Sequence, residues 1–270
     1  MAIEAAVTQY RQMVVNAFEQ DVSLLKATTT KEAMSSGQSV VFLVSGSGGD
    51  VAVTRGQNGL IPYGNPTNTQ ITATLEERHA PYELTSFNIF ASQGNQLEIM
   101  RRASMSVINR DIDDKIIAEI STGTNNTGTA ATGSVALVEK AIAMLGRQDV
   151  DTSDENNMFA LISPAMRAYL YQTTQFASGD YVDTKVYSGP VRRFWRWSGV
   201  NWIVSNRLSG IGTSAEKCLM WHRDAIGYAC NLGEDKIGIG YDDKQDSSWS
   251  RATIYHVSKL LQNGGIVVMN

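Results

Sequence analysis

A chain of 270 residues, 43% of them hydrophobic, holds enough apolar material for one large domain or two small ones and is not a disordered polymer. Its formal charge of −4 removes any gross electrostatic reason for tight, general binding to DNA or anionic lipid. No apolar run approaches the roughly 20 residues needed to span a bilayer, and the start Met-Ala-Ile-Glu-Ala-Ala-Val lacks the basic head of a signal peptide, so synthesis in the cytoplasm is expected and a membrane is not. Cys218 and Cys230 have neither the count of a disulfide scaffold nor the spacing of a zinc site and read as buried free thiols.

Residues 1–36 contain neither Gly nor Pro. Ile3, Val7, Tyr10, Val14 and Ala17 recur at helical spacing, with Met13, Phe18, Val22 and Leu25 widening the stripe until Thr28-Thr29-Thr30 breaks it. So narrow a stripe suits docking against a neighbouring subunit better than burial in a core; an ordinary first helix is the competing reading.

From Gly37 to Ser86 the composition turns to β-branched residues and turn signals. Ser39–Val44 reads as a strand, Gly46–Gly49 as a flexible link, and Val51–Thr54 alternates ahead of Gly56-Gln-Asn-Gly59. Pro62-Tyr-Gly-Asn-Pro66 follows, and Thr69–Leu75 alternates again, which predicts an extended two-stranded ribbon. A polar-tipped ribbon of this kind is marginal alone, so it is expected to be ordered by a neighbour and to be dispensable for folding between residues 46 and 72.

Between residues 95 and 121 no helix breaker occurs, and Leu97, Met100, Ala103, Val107, Ile108, Ile112, Ile116, Ile117 and Ile120 fall three and four apart. The spacing predicts a spine helix roughly 40 Å long, closed by the Gly- and Thr-rich linker Thr122–Gly133. Beyond it come a helix over 134–146, a strand over Met158–Ile162 and a helix over 164–174 opened by Ser163-Pro164. Strands follow over 185–197, 200–205, Cys218–His222 and Ala225–Cys230, then an acidic loop around Glu234–Asp246. Final strands over Trp249–His256 and Gly265–Met269 close the chain. Helices and strands mixed without a repeating strand–helix unit predict an α+β fold.

Catalytic signals are sparse. His79, His222 and His256 lie far apart and in no metal-hydrolase arrangement, so a structural role is expected for each. Ser45-Gly-Ser-Gly-Gly-Asp50 has the glycines of a phosphate-binding turn but no Lys-Ser/Thr and no helix behind it. Acidic clusters at Asp111, Asp113 and Asp114, at Asp149–Glu155 and at Glu234–Asp246 lack the alternation of a calcium loop and read as solvated faces or ion-pair partners. The strand Val191-Arg-Arg-Phe-Trp-Arg-Trp197 is the best nucleic-acid candidate, through Arg192, Arg193, Trp195 and Arg196. No cofactor is expected.

Taken in order, these segments resemble the major capsid proteins of tailed double-stranded-DNA bacteriophages, the Hong Kong 97-type fold. The resemblance is carried by the helical arm, the ribbon and the spine in GNQLEIMRRASMSVINRDIDDKIIAEIST. FALISPAMRAYLYQTTQFASGDYV and GPVRRFWRWSGVNWIVSNRLSG complete it. It implies an N-terminal arm at 1–36, an extended β-hairpin or E-loop at 37–86, and a P-domain with its spine helix at 87–133. An A-domain at 134–247 and return strands of the P-domain at 248–270 follow. The implied function is a structural, non-enzymatic subunit that self-assembles into pentamers and hexamers of an icosahedral virion shell around packaged DNA, touching the DNA only weakly. Assembly is expected in the host cytoplasm with a portal and a separate scaffolding protein, a decoration protein being left open. Residues 37–86 contain no Lys, so the lysine–asparagine cross-link of the type member is not expected there. If Met1 is the true start, no long scaffolding segment precedes the arm.

Contacts between copies are expected at Tyr10, Val14 and Phe18 of the arm, at Arg55, Tyr63, Glu76, Glu77 and Arg78 of the hairpin, and at Arg101, Arg102, Asp113 and Asp114 of the spine. Arg192, Arg193 and Arg196 are the candidates to face DNA. Competing functions are an encapsulin-like bacterial compartment shell, a nucleic-acid-binding module using residues 191–197, and a soluble enzyme whose site leaves no signature.

Overall fold

The computed structural model describes residues 22–34, 36–91, 95–174, 194–231 and 236–270. The expected arm helix with Tyr10, Val14 and Phe18, the strand before residue 194 with Arg192 and Arg193, and Glu234 lie outside the described residues.

The chain enters through a 3-10 turn, Lys26–Thr28, and a short strand β1, Thr30–Met34. The strand begins where the threonines were expected to break the helical stripe, though no strand was expected there. The three threonines end helical periodicity, and Thr28 closes the turn by donating its hydroxyl to the carbonyl of Leu25 at 2.7 Å. The hairpin follows as β2, Ser39–Gly46, and β3, Thr67–Thr74, antiparallel from Ser39 opposite Thr74 to Gly46 opposite Thr67. Next come β4, Glu76–Thr85, the short helix α1, Ser86–Ala91, and the spine α2, Gln96–Ser121. The remainder is α3, Val135–Gly146; β5, Met158–Ile162; α4, Pro164–Tyr171; β6, Phe194–Trp197; β7, Val200–Val204; β8, Cys218–His222; β9, Ile226–Asn231; β10, Lys236–Asp242; β11, Ser247–Leu260; and β12, Ile266–Met269. Residues 236–242 are therefore a strand where an acidic loop was expected. Their Ile-Gly-Ile-Gly-Tyr alternation outweighs the flanking acids.

Two compact units divide these elements, and α2 and β11 contribute residues to both. The described part of the first unit is residues 22–23, 77–91, 95–111 and 236–254. Here β10 pairs antiparallel with β11 from Lys236 opposite Thr253 to Asp242 opposite Ser247, and β4 also pairs with β11. The sequence assigned residues 76–85 to the hairpin; they are instead a strand of this sheet. His79 donates to or accepts from the Thr253 hydroxyl at 2.9 Å, a structural role for that ring.

The second unit, residues 24–76, 112–232 and 255–270, carries the larger core. Its mixed sheet runs β12-β8-β5-β7-β6, parallel between β5 and β7 and antiparallel elsewhere. Every residue of β5 is buried, as a central strand covered on both faces should be. Trp202 and Trp221 are fully buried, and the Trp221 ring stacks on Phe159 with centroids 6.0 Å apart. Ser134 and Ser163 cap α3 and α4 by accepting the backbone N–H groups of Leu137 and Met166, and Pro164 fills the first helical position of α4. In the same unit β1 runs parallel to β9, while residues 256–260 of β11 lie antiparallel to it.

Candidate subunit-interaction surface

The hairpin divides into a rooted base and an uncovered end. At the base, Val40, Phe42 and Ala73 are buried with Ala229 of β9, and Met34, Leu75, Val257 and Leu261 pack around them. This corrects the expectation that the whole ribbon depends on a neighbour: period-2 alternation sends Val40 and Phe42 inward. Val41 and Leu43, on the other face, are exposed.

Beyond Gly46 the ladder stops, and residues 47–66 form a loop closed by short-range bonds. The Asp50 carboxylate accepts the Asn65 backbone N–H at 3.0 Å, and a turn links the Gly56 N–H to the Leu60 carbonyl at 2.9 Å. Residues 51–54, read as alternating, form no strand; with no partner ladder their β-propensity has nothing to pair with. The loop leaves Val51 80%, Leu60 74% and Tyr63 98% exposed, with Val53 and Ile61 at least half exposed. Arg55 is exposed on the same loop. So much uncovered apolar surface on one polar-tipped loop makes it the candidate interaction site.

The charged residues expected to pair between copies are largely engaged within their own units. In the second unit Lys115 of α2 donates to Glu76 at 2.7 Å. The Arg207 guanidinium makes a two-pronged bond to Asp114, through Nε at 2.6 Å and through Nη2, and this hydrogen bonding raises the arginine pKa above its ordinary value. In the first unit Arg78 lies 3.6 Å from Asp111, Glu77 lies 3.0 Å from the His79 ring, and Arg101 lies 3.3 Å from Glu98 one helical turn earlier. Arg102 is exposed on α2.

Asp113 departs furthest from its reading as a surface group. It is 2% exposed, and its two carboxylate oxygens accept the backbone N–H groups of Leu24 and Leu25 at 3.0 and 3.1 Å. Its place among the isoleucines of the spine was visible in the sequence. Its partners, nearly ninety positions earlier, were not. Together with the Trp221 indole N–H donated to the Thr28 carbonyl at 3.2 Å, this carboxylate fixes the point where residues 24–28 enter the unit.

The basic-aromatic strand is tied into its own unit as well. Arg196 donates to Asn201 and to Asn156, each at 3.0 Å, with Glu155 at 3.6 Å. Trp197 is buried and lies 5.7 Å from Trp202, whose indole N–H donates to the Trp197 carbonyl at 3.0 Å. The Trp197 ring serves the core; the side chain of Trp195, the expected stacking residue, lies outside the described residues. Among the described residues no group of His, Cys, Asp and Glu is placed to hold a metal, and no helix is long and apolar enough to cross a membrane.

The fold matches solved capsid structures over nearly their whole length. A chain of Mycobacterium phage Che8 superimposes with a TM-score of 0.77 at 17% identity, covering 100% of this chain and 98% of its own. The capsid of cyanophage P-SCSP1u gives 0.72 at 13% identity, with 98% and 92% covered. A virus-like particle from Pyrococcus furiosus gives 0.62 at 10% identity, with 93% and 92% covered. No curated protein sequence matches the chain. The family model described as phage capsid protein matches residues 2–270, and the chain, with its Hong Kong 97-type α+β fold, belongs to that family of structural capsid proteins.

Proposed function

We propose that this protein is the repeating subunit of an icosahedral shell around the double-stranded DNA of a tailed phage. Copies gather into pentamers and hexamers in the host cytoplasm, with a portal and a separate scaffolding protein as partners. The observation that carries this reading is the exposed apolar loop 47–66 on a base that is already packed. Val51, Leu60, Ile61 and Tyr63 find no cover in their own unit, and a sister copy is the surface that every capsid subunit meets. Arg55 and Tyr63 are the contact residues favoured on the hairpin, with Arg102 exposed on the spine as a third; Glu76, Arg78 and Asp114 pair within their own units, and assembly would have to exchange those partners. The subunit works by burial and shape, with no catalytic residue.

The test replaces residues 48–65 by a two-residue turn, leaving β2, β3 and Phe42 intact. The expected variant melts cooperatively and stays soluble, yet yields no particles by electron microscopy, whereas the full chain yields closed shells. Normal shells from the shortened chain would defeat the reading. An encapsulin-like compartment shell is the competing reading. Particles that never protect DNA from nuclease when made in their native host would support it.

A further inference from the structure

The first unit carries a second exposed surface, at the edge of its sheet. Strand β10 ends its sheet: among the described strands it pairs with β11 alone. Its sequence, Lys236-Ile-Gly-Ile-Gly-Tyr-Asp242, splits by the two-residue period of a strand. Gly238 and Gly240 lie under the Trp249 ring, where an added Cβ would stand 3.2 and 2.5 Å from indole atoms. Arg251 covers that ring in turn at 5.8 Å. On the opposite face Ile237, Ile239 and Tyr241 are exposed, the last two by 54% and 53%. Isolated sheet edges are usually blunted by proline, a bulge or an inward charge. Over Ile237–Tyr241 this one has none: the residues are apolar or glycine, and the register with β11 is unbroken.

We propose that β10 pairs antiparallel with β10 of a second copy across a two-fold axis. The choice of occupant rests on self-complementarity. An antiparallel ladder centred on Ile239 sets Ile239 opposite itself, Ile237 opposite Tyr241, Gly238 opposite Gly240, and the lysine position 236 opposite Asp242. Every apolar residue then meets an apolar one, and both ends place opposite charges together. A shift of one residue would set apolar side chains against glycines. The glycines suit the same arrangement, because the tryptophan-covered face presents two flat backbones and no bulky side chain to the join. The contact rests on the capsid reading for its biological setting, and extends it from the hairpin to a second, isologous interface.

Cross-linking tests the axis directly. Residues opposite one another in an antiparallel pair have Cα atoms about 4.5–5.5 Å apart, within the range a disulfide spans. Full-length Ile239→Cys, oxidised with glutathione disulfide, is expected to run as a covalent dimer on a non-reducing gel, while Ser248→Cys on β11 stays monomeric. Ile239→Lys, which opposes two like charges on the axis, is expected to lose the contact with an unchanged melting temperature. Asp242→Lys should weaken it, and adding Lys236→Asp should restore it. Particles that form normally while Ile239→Cys remains monomeric would overturn the proposal and leave the capsid reading standing. So would cross-linking of Ile239→Cys only to a Val51→Cys hairpin of a co-expressed copy, which assigns the edge to the hairpin. A dimer without particles would keep the edge contact and sink the shell; neither dimer nor particles would sink both.

Discussion

The ring of Phe42 occupies the space that a side chain on residue 227 would need: a Cβ there would sit 2.8 Å from two of its carbons. Gly227 thus acts as a socket in β9, and the aromatic knob that fills it is the inward residue of β2. Gly227→Ala should cost about 1–3 kcal/mol through overpacking, read as a fall in melting temperature of several degrees. A larger fall is expected for Gly227→Val. Equal stability in both variants would mean that the hairpin base is not packed as described.

Asp113 gives a sharper case. Its carboxylate satisfies two backbone N–H groups of a buried segment, and Leu25 beside them is 1% exposed. Removing the acceptor leaves those donors orphaned, at about 1–3 kcal/mol each. Asp113→Ala should therefore lower stability by about 3 kcal/mol or more, with Asp113→Asn retaining one acceptor oxygen and losing less. Hydrogen exchange at Leu24 and Leu25 is the specific readout, and both amides should lose protection in the alanine variant. Unchanged protection at Leu24 and Leu25 in that variant would show that the carboxylate does not hold the segment.

What the sequence made legible follows from the range of the interactions involved. Strands β5 and β8 fall at the predicted limits, Met158–Ile162 and Cys218–His222, and the spine within one residue of its predicted start, because local periodicity and turn residues set them. Ser163-Pro164 announced α4 for the same reason. Strand β1 escaped because Thr30–Met34 has little apolar content and gains its structure from a parallel neighbour nearly two hundred residues away. Strand β10 was hidden by surrounding acids, and β4 was assigned to the hairpin because no turn signal separates it from β3 beyond Leu75. The charges fared worst. Glu76, Arg78, Asp113 and Asp114 were expected to meet groups on other copies, and each has a partner within its own unit, because sequence carries no information on which distant group supplies one.

The turn between β10 and β11 gives the pH dependence a sign. The Asp246 carboxylate accepts from the Tyr241 phenol and from Ser86, and these bonds hold its pKa below the ordinary carboxylate value. A depressed folded pKa contributes stability above the unfolded value of about 4 and loses it as pH falls through the folded one. Asp246→Asn should therefore melt slightly below wild type near pH 7, and the two should converge only as pH falls below the depressed folded pKa. The partner titration runs the other way. Hydrogen bonding to Asp246 raises the Tyr241 pKa, so in the asparagine variant the phenolate absorbance should develop at lower pH. A gap that widened with acid would contradict the assignment.

Cysteine chemistry supplies the last expectation. Burial pushes the Cys218 thiol up to about 12, and the nearby Glu216 carboxylate, 3.9 Å away, adds to the rise. Because the thiolate is the reacting species, native Cys218 should resist iodoacetamide near pH 8, where a free thiol of pKa about 8.5 reacts readily. Cys230, also buried and in no disulfide, is shielded by lack of access. Mass spectrometry should find both residues unlabelled in the folded chain and both labelled after denaturation, without prior reduction. A requirement for reductant would reveal a disulfide, and fast labelling of the native chain would show that β8 and β9 open to solvent far more often than their burial in the sheets predicts.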